Sequence, residues 1–578
     1  MLQIIFTLLI FIVAVIPMGR YMYHIAVYKK TFADGLFNRI DNGIYKICRI
    51  DRSGMTWKSY AGHLLMTNAV MVFVGYCILR LQNYLVLNPN GIDGMPSDLS
   101  FNTIISFMTN TNLQHYSGES GLTYLSQMLV ITFMMFTSAA SGYAACMAFS
   151  RGFAGKRKDL GNFYEDMIRI TTRILIPWCV VFGLVLIWQG SPQTFSSNFT
   201  VETITGKLQD FAVGPVASLE IIKHLGTNGG GFFGANSTTP FENPTIITDI
   251  VELISMMALP GACVLTFGKM CQDRKKESLG LGEENKIKTK EPVFGKQGRT
   301  IFAAMSIIFV IGLSVCYVSE LKGNPILESV GISQDMGSME GKEVRFGIDQ
   351  SALFTTTTTS FTTGTVNNMH DTLTPLGGMI PLLHMMLNCV FGGKGVGLMN
   401  MVMYVILAVF ICGLMVGRTP EYLGKKIEGK EMKLVAICLI AHPLLILGFS
   451  AIAVATSAGL EGITNSGFHG LSQVLYEYSS SAANNGSGFE GLADNTLFWN
   501  TTTGLAMFFG RYIAIIAQLA IAGSLLAKKS VTASVGTMRT DNGGFAIVLV
   551  AVVYIFAALT FFPALALGPI AEHLTIWF

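Results

Sequence analysis

The sequence predicts an all-α polytopic membrane protein, with ten transmembrane helices carrying four span–pore-helix–loop–span repeats in pseudo-fourfold arrangement. Three observations lead there. The 578 residues are 51% hydrophobic and 13% charged, about half the charge of an ordinary soluble domain, and the mean hydropathy is +0.51. Apolar stretches of spanning length recur ten times along the chain. A polar loop rich in Thr, Asn and Gly appears four times, each time after an apolar segment too short to cross a bilayer.

At about 20 residues per crossing, spans are expected near 3–27, 60–82, 121–149, 169–188, 245–270, 300–319, 373–416, 433–456, 499–526 and 544–569. The seventh stretch is too long for one crossing and is broken by FGGKGVG at 391–397, which makes it an interrupted helix. Lys and Arg set the orientation, because cytoplasmic connections collect them. The connection 29–58 holds Lys29, Lys30, Arg39, Lys46, Arg49, Arg52 and Lys58, and 271–299 carries QDRKKE and KIKTK. The segments 81–120 and 457–498 hold none. Connections 29–58, 150–168, 271–299, 417–432 and 527–543 are therefore expected inside, with both termini outside. The first helix lacks a basic segment ahead of it and reads as an uncleaved span. The ten Cys fall in spans or on the cytoplasmic side and form no CxxC pair, so neither a disulfide framework nor a zinc site is indicated.

The repeated loop is TNTNLQHYSGE (109–119), GTNGGGFFGAN (from Gly226), TTGTVNNMHD (from Thr362) and SAANNGSGFEG (from Ser481), with Asn110, Asn228, Gly364 and Gly486 as landmarks. FNTIISFM, VASLEIIKHL, SALFTTTTTSF and LSQVLYEYSS precede them as short re-entrant helices. Irregular backbone at membrane depth survives only where protein buries it or it lines an aqueous path. Four such loops around one axis form a ring whose carbonyls can replace the hydration shell of a small cation. The carbonyls of Thr109, Asn110, Thr111 and Asn112, of Thr227, Asn228 and Gly229, of Thr363, Gly364 and Thr365, and of Asn484, Asn485 and Gly486 are the candidate ligands, with Gln114 alongside. Gly229, Gly364 and Gly486 supply the left-handed backbone that inward carbonyls require; in the first loop Asn110 or Asn112 must take it, since Asn tolerates it best after Gly. These segments are expected to divide the chain into 1–58 (extra first helix and cytoplasmic loop), 59–155, 156–275, 276–430 (with the interrupted helix) and 431–530 as pore repeats, and 531–578 as a last helix.

The four loop motifs, with VFGG and GLMVGRTPEYLGKKIE (413–428), resemble the A-subunit family of the Kdp potassium-transporting ATPases over essentially the whole chain. This resemblance implies membership of the superfamily of potassium transporters built from four channel-like repeats, and a subunit that selects K+ from outside in a bacterial-type plasma membrane. It implies as partners a P-type ATPase B chain that hydrolyses ATP, a C chain and a small F peptide. It also implies an Arg below the filter facing the interrupted helix, and a gating loop at FGGKGVG. Arg511, Gly392, Gly393 and Lys394 are thus the candidate barrier, although Lys394 also reads as an exposed loop residue if the break reaches the interface. The family commonly carries an acidic residue shortly before VFGG, where this chain has Asn388; Arg418 reads as an ordinary cytoplasmic anchor, although the family makes this stretch an interface with the ATPase subunit.

No DKTGT or GxxxxGK[ST] motif occurs, so no ATP site is expected on this chain. Gly229–Gly234 satisfies GxGxxG, but without a βαβ unit that pattern means little. Arg511 sits more than ten residues from either end of its span, where a charge costs about 2.5–3.5 kcal/mol on insertion scales and must face the bundle interior or water. Glu119, Glu242, Asp371 and Glu490 trail the loops: either they concentrate cations at an outer mouth, or they cap the following spans or stay solvated. His115 and His370 read as hydrogen-bonding residues rather than metal ligands. A stand-alone channel or ion-coupled transporter of the same superfamily predicts the same filter. A membrane enzyme or solute carrier predicts convergent acids or a metal motif instead of four neutral loops.

Overall fold

A backbone at membrane depth must satisfy its own N–H and C=O groups, so each long apolar run becomes a helix. In the computed structural model, which describes residues 1–155, 158–278, 294–417, 419–531 and 538–578, ten helices are long and apolar enough to cross a membrane. They are Leu2–Ala26, Trp57–Tyr84, Tyr124–Ala154, Phe163–Gln189, Ile246–Asp273, Lys296–Ser329, Gly393–Met415, Gly429–Ala455, Leu497–Ala527 and Gly543–Trp577. KIKTK and Arg418 lie outside the described residues.

Burial sorts the helices into two layers. The helices after the four loops are buried inside the protein over 78%, 89%, 56% and 61% of their most apolar windows, against 22%, 44%, 44% and 28% for the helices before them. The inner four surround an axis and the outer four, with the first and last helices, face lipid. Val13, Phe73, Leu184, Leu444 and Leu559 are among the exposed side chains of that outer layer, as expected where the solvent is hydrocarbon.

Between each outer and inner span a short helix enters: Ser97–Met108, Val216–Leu225, Gly347–Ser360 and Phe468–Ala483. The third contains Thr355–Thr359, five consecutive β-branched residues of weak helix propensity. It holds because the hydroxyls fold back on the helix, Thr356 Oγ1 donating to Ala352 O at 2.8 Å and Thr359 Oγ1 to Thr355 O at 3.0 Å.

The seventh span is interrupted as expected. Pro375–Leu387 stops at Asn388, which takes left-handed backbone (φ 45°), and the helix resumes at Val396. The intervening loop docks upward onto the third pore helix: Gly392 N–H donates to Ser360 O at 2.9 Å, and the Phe361 and Phe391 rings stack with centroids 4.6 Å apart. At the opposite side, Asp166 accepts Tyr28 and Tyr60 hydroxyls at 2.7 and 2.8 Å and pairs with buried Arg151, joining the first span to the first two repeats. Among the elements with no counterpart in the sequence reading are a hairpin pairing Phe199–Glu202 with Leu208–Phe211, a second pairing Glu421–Tyr422 with Lys425–Lys426, and a helix at Asp34–Ile47.

Candidate functional site

Each pore helix ends in the same backbone event. Thr111 N–H reaches back to Ser106 O (2.9 Å), Asn228 to Lys223 O (2.8 Å), Thr363 to Thr358 O (2.8 Å) and Asn485 to Ser480 O (2.9 Å), always five residues earlier. The residue before each is left-handed: Asn110 (φ 60°), Thr227 (50°), Thr362 (52°) and Asn484 (56°). So is the residue after: Asn112 (57°), Gly229 (86°), Gly364 (90°) and Gly486 (108°). Four segments far apart in sequence therefore share one three-residue register, and both Asn110 and Asn112 take the conformation that the first loop cannot delegate to glycine.

This register corrects the sequence alignment of the loops. Asn112, Gly229, Gly364 and Gly486 are equivalent, so the landmarks Asn110 and Asn228 sit out of register by two residues and one. Thr362, which the sequence reading left out, stands at the place of Asn110, Thr227 and Asn484. A β-branched residue is disfavoured in left-handed backbone, so composition steers away from it. The structure over-determines the equivalent Thr227, whose Oγ1 donates to Gly226 O at 2.7 Å and accepts Lys394 N–H at 2.9 Å.

The loops close on one another in order. A Cβ placed on Gly229 would strike Thr363 O and Gly364 Cα; on Gly364, Asn485 O and Gly486 Cα; on Gly486, Thr111 O; and on Gly230, Asn112 O. Loop two meets three, three meets four, four meets one and one meets two. Side chains lock the same contacts. Asn110 Nδ2 donates to Thr227 O (2.7 Å), Asn228 Nδ2 to Asn110 Oδ1 (2.7 Å), and Asn484 Nδ2 to Thr111 Oγ1 (3.0 Å). Gln114 clamps the second loop at Gly231, donating to its O at 3.0 Å and accepting its N–H at 2.8 Å. Thr365 Oγ1 meets Ser237 Oγ and Asn236 Oδ1, both at 3.0 Å. Thr109 caps its own helix end through Ile105 O at 2.8 Å. With the carbonyl ends of four helices converging, the negative poles of their dipoles face the ring.

The acids behind the loops brace backbone. Glu242, fully buried, accepts Phe232 and Phe233 N–H at 2.8 and 3.3 Å, and Glu119 accepts Gly234 N–H at 2.9 Å. Glu490 accepts His370 and Asp371 N–H at 2.9 and 3.1 Å, and Asp371 is itself held by His469 at 3.0 Å. Of the two readings left open for these acids, the geometry favours structural bracing, because a carboxylate spent on amide hydrogens attracts ions less. Lys223, on the second pore helix, completes the brace at 2.7 Å from Glu220 Oε2 and 3.7 Å from Glu242 Oε1. The signal for this cluster was present: Glu220 and Lys223 are charges one helical turn apart in a segment at membrane depth, where ionisable residues are seldom idle.

His115 ties loop one to repeat four. Its Nδ1 meets Asn500 Oδ1 at 2.8 Å, its Nε2 meets Glu477 Oε1 at 3.2 Å, and Asp494 stands 3.8 Å away. Burial works against the imidazolium, but the facing Asp494, Glu477 and Asn500 outweigh it and raise the pKa to about 9. His370 meets Tyr476 Oη at 2.6 Å through Nδ1; burial and Lys342 pull its pKa down to about 3, so it is neutral. His115, Glu477 and Asp494, like Glu220, His224 and Glu252, have a metal-compatible arrangement, with ligand atoms within 4.8 Å of one another. Each already holds a protein cation, the imidazolium in the first and the Lys223 ammonium beside Glu220 in the second.

Beneath the ring the interrupted helix and Arg511 meet. Gly393 lies against Thr227 Oγ1 and Thr362 O. The fully buried Lys394 Nζ donates to Asn110 O at 2.8 Å and Asn484 O at 2.6 Å. Arg511 is buried and reaches Ser138 O at 3.5 Å; Gly142 is the point against which both its guanidinium and the Lys394 stem pack. Asn388 O, a backbone carbonyl, accepts Asn400 Nδ2 at 2.7 Å across the helix break, and the Asn388 side chain, where the resemblance leads one to expect an acid, donates from Nδ2 to Ala483 O at 3.4 Å. A cleft lined by Asn388, Asn400, His442, Asn484 and Arg511 lies beside this break, between the third and fourth repeats.

Four re-entrant loops in one backbone register, set on an inner ring of spans, define a channel-like membrane protein. The chain belongs to the KdpA family, the potassium-transporting ATPase A subunit, whose pattern it matches over residues 5–574. It is 56% identical to the potassium-transporting ATPase potassium-binding subunit of Clostridium acetobutylicum over 576 residues, covering 100% of both chains. It is 53% identical to the subunit of the same name from Geobacillus kaustophilus, covering 98% of each. In fold it is similar to the potassium transporter TrkH from Vibrio parahaemolyticus, with a TM-score of 0.52 and 14% identity over 89% of this chain and 96% of that one.

Proposed function

We propose that this chain is the potassium-binding and translocating subunit of an ATP-driven uptake pump, selecting K+ from the outside and passing it to a P-type ATPase subunit. The observation that carries the reading is the shared three-residue register of the four loops in a chain of the KdpA family. The filter consists of the carbonyls around Thr111, Asn228, Thr363 and Asn485, flanked by their left-handed neighbours. The named relatives favour the pump subunit over a stand-alone channel. The chain itself is non-hydrolytic; a B chain hydrolyses ATP, with a C chain and a small F peptide in the same complex. The complex sits in a bacterial plasma membrane with both termini of this chain outside. Arg511 and the loop 391–397 form a barrier beneath the filter, so that an ion leaves sideways through the cleft beside Asn388.

The reading is tested by purifying the tagged chain from its own cells. A P-type ATPase chain should co-purify, and K+ but not Na+ should stimulate hydrolysis. A chain that comes alone and conducts K+ without ATP contradicts the pump assignment.

A further inference from the structure

The pore helices enter from the outer side and end at membrane depth, so the first residue of each loop triplet lies innermost. The inner carbonyls of the filter are therefore those of Asn110, Thr227, Thr362 and Asn484. Two of them, Asn110 O and Asn484 O from loops one and four, are held by the Lys394 ammonium at 2.8 and 2.6 Å. A buried ammonium is normally matched with a carboxylate. Here its partners are neutral carbonyls, the same ligands that replace the hydration shell of a monovalent cation.

Ammonium and potassium ions are close in size and equal in charge, so carbonyls spaced for one accept the other. The tether is short and well anchored. Lys394 sits in left-handed backbone (φ 47°), its own N–H is fixed on Thr227 Oγ1 at 2.9 Å, and its stem packs against Gly142 beside the Arg511 guanidinium. A second fixed cation below drives the ammonium upward, toward the ring. Tethering also gives it an effective concentration of about a millimolar or more, so a dilute external ion competes with a resident one.

We infer that Lys394 is a tethered competitor for potassium: its ammonium occupies the innermost ion position of the filter and must be displaced before an ion can pass that ring. This rests on the assignment of the four loops as the filter. The device closes the inner end when no ion has arrived and lowers the apparent potassium affinity of the complex. If the ammonium holds the position for about 70–90% of the time, the apparent dissociation constant at that position is raised about three- to tenfold.

The test uses the intact purified complex with Lys394→Met, which keeps the side-chain volume, and Lys394→Arg, which keeps the charge. Two quantities are measured: the potassium concentration that half-saturates ATP hydrolysis, and Rb+ density in the filter of the complex structure. In Lys394→Met the half-saturating concentration should fall about three- to tenfold, and Rb+ density should appear between the Asn110 and Asn484 carbonyls. In Lys394→Arg that inner density should stay absent. Rb+ retained at the outer carbonyls with no inner density and no affinity change in Lys394→Met overturns this inference alone. Absence of Rb+ from all four loops in the unmodified complex overturns the filter assignment beneath it. Retained outer density in the variants is also the check that the filter has assembled.

Discussion

Gly229→Ala is the sharpest perturbation of the ring. Gly229 has φ 86°, and a left-handed L-residue costs about 1–2 kcal/mol. The larger effect is steric. The new methyl carbon would overlap Thr363 O and lie 2.9 Å from Gly364 Cα, both backbone atoms of the next loop. Backbone cannot rotate aside as a side chain does, so loops two and three must separate. Thr363 N–H is bonded to Thr358 O at 2.8 Å and Asn228 N–H to Lys223 O at 2.8 Å, so the shift spreads into both helix ends. A discrimination loss of about 1.4–2.8 kcal/mol corresponds to a fall of about ten- to a hundredfold in K+ over Na+ preference. The assay is potassium-stimulated hydrolysis by the purified complex, titrated with K+ at several Na+ concentrations. Gly229→Asp adds a carboxylate to the same place and should be worse. An unchanged K+/Na+ preference in both variants, with the complex intact, refutes the ring geometry.

Arg511→Ala should raise passive Rb+ flux into vesicles without ATP: a fixed charge repels a cation about 8 Å away by about 2 kcal/mol at an effective dielectric of about 20, or about thirtyfold in rate, and an unchanged leak would remove it from the barrier. Glu242→Ala strands the Phe232 and Phe233 amide hydrogens and leaves Lys223 with Glu220 and Asn236; at about 1–3 kcal/mol for each orphaned donor it should lower thermal stability, while Glu242→Gln, which keeps an acceptor, should lose less. His115→Gln should destabilise the complex most where the imidazolium is charged. Its folded pKa, about 9, lies above the ordinary 6.5, so its contribution is complete below about pH 6.5 and is lost as pH rises through about 9. The melting difference between wild type and His115→Gln should therefore shrink between pH 7 and 10, and a difference that is flat with pH would show that His115 acts without its charge.

The repeat was legible because apolar length and charge are read almost directly from composition. Each pore helix betrays itself by being apolar yet too short to cross, and FGGKGVG interrupts a run too long for one span. A left-handed residue at Asn110 or Asn112 was foreseeable from the lack of glycine before Gly118; that both take it was not. The register was not. Asn, Thr and Gly at a loop tip all suit a tight turn, and nothing in their order shows which N–H will reach back five residues. Thr362 was missed for that reason, and because threonine is a poor choice for left-handed backbone until its neighbours force it. The trailing acids were ambiguous because a carboxylate that attracts ions and one that accepts amide hydrogens look alike in sequence; only the contacts of Glu242, Glu490 and Glu119 separate the two roles.

The placement of charge around the ring follows from what a filter of neutral carbonyls requires. Carboxylates facing the axis would bind a cation too strongly to release it, and four acids near the loops have other partners: Glu242 and Glu490 on amide hydrogens, Glu220 on Lys223, Glu477 on His115. Those bonds hold the loops rigid from behind, which fixes the spacing of the carbonyls without lending them charge. The cations are arranged the other way. Arg511 and Lys394 are both turned toward the inner end and pack against the same glycine. Two buried positive charges at one point are unfavourable unless something compensates them, and among the bonds that Lys394 makes, the compensation comes from the Asn110 and Asn484 carbonyls of the proposed filter. The ring and its barrier are therefore one electrostatic unit. An ion that enters must take over the carbonyls that stabilise Lys394, and the displaced ammonium then lies nearer the Arg511 charge. On the proposed reading, entry from outside is thereby coupled to a rearrangement beneath the ring, at the break beside Asn388 where the cleft begins.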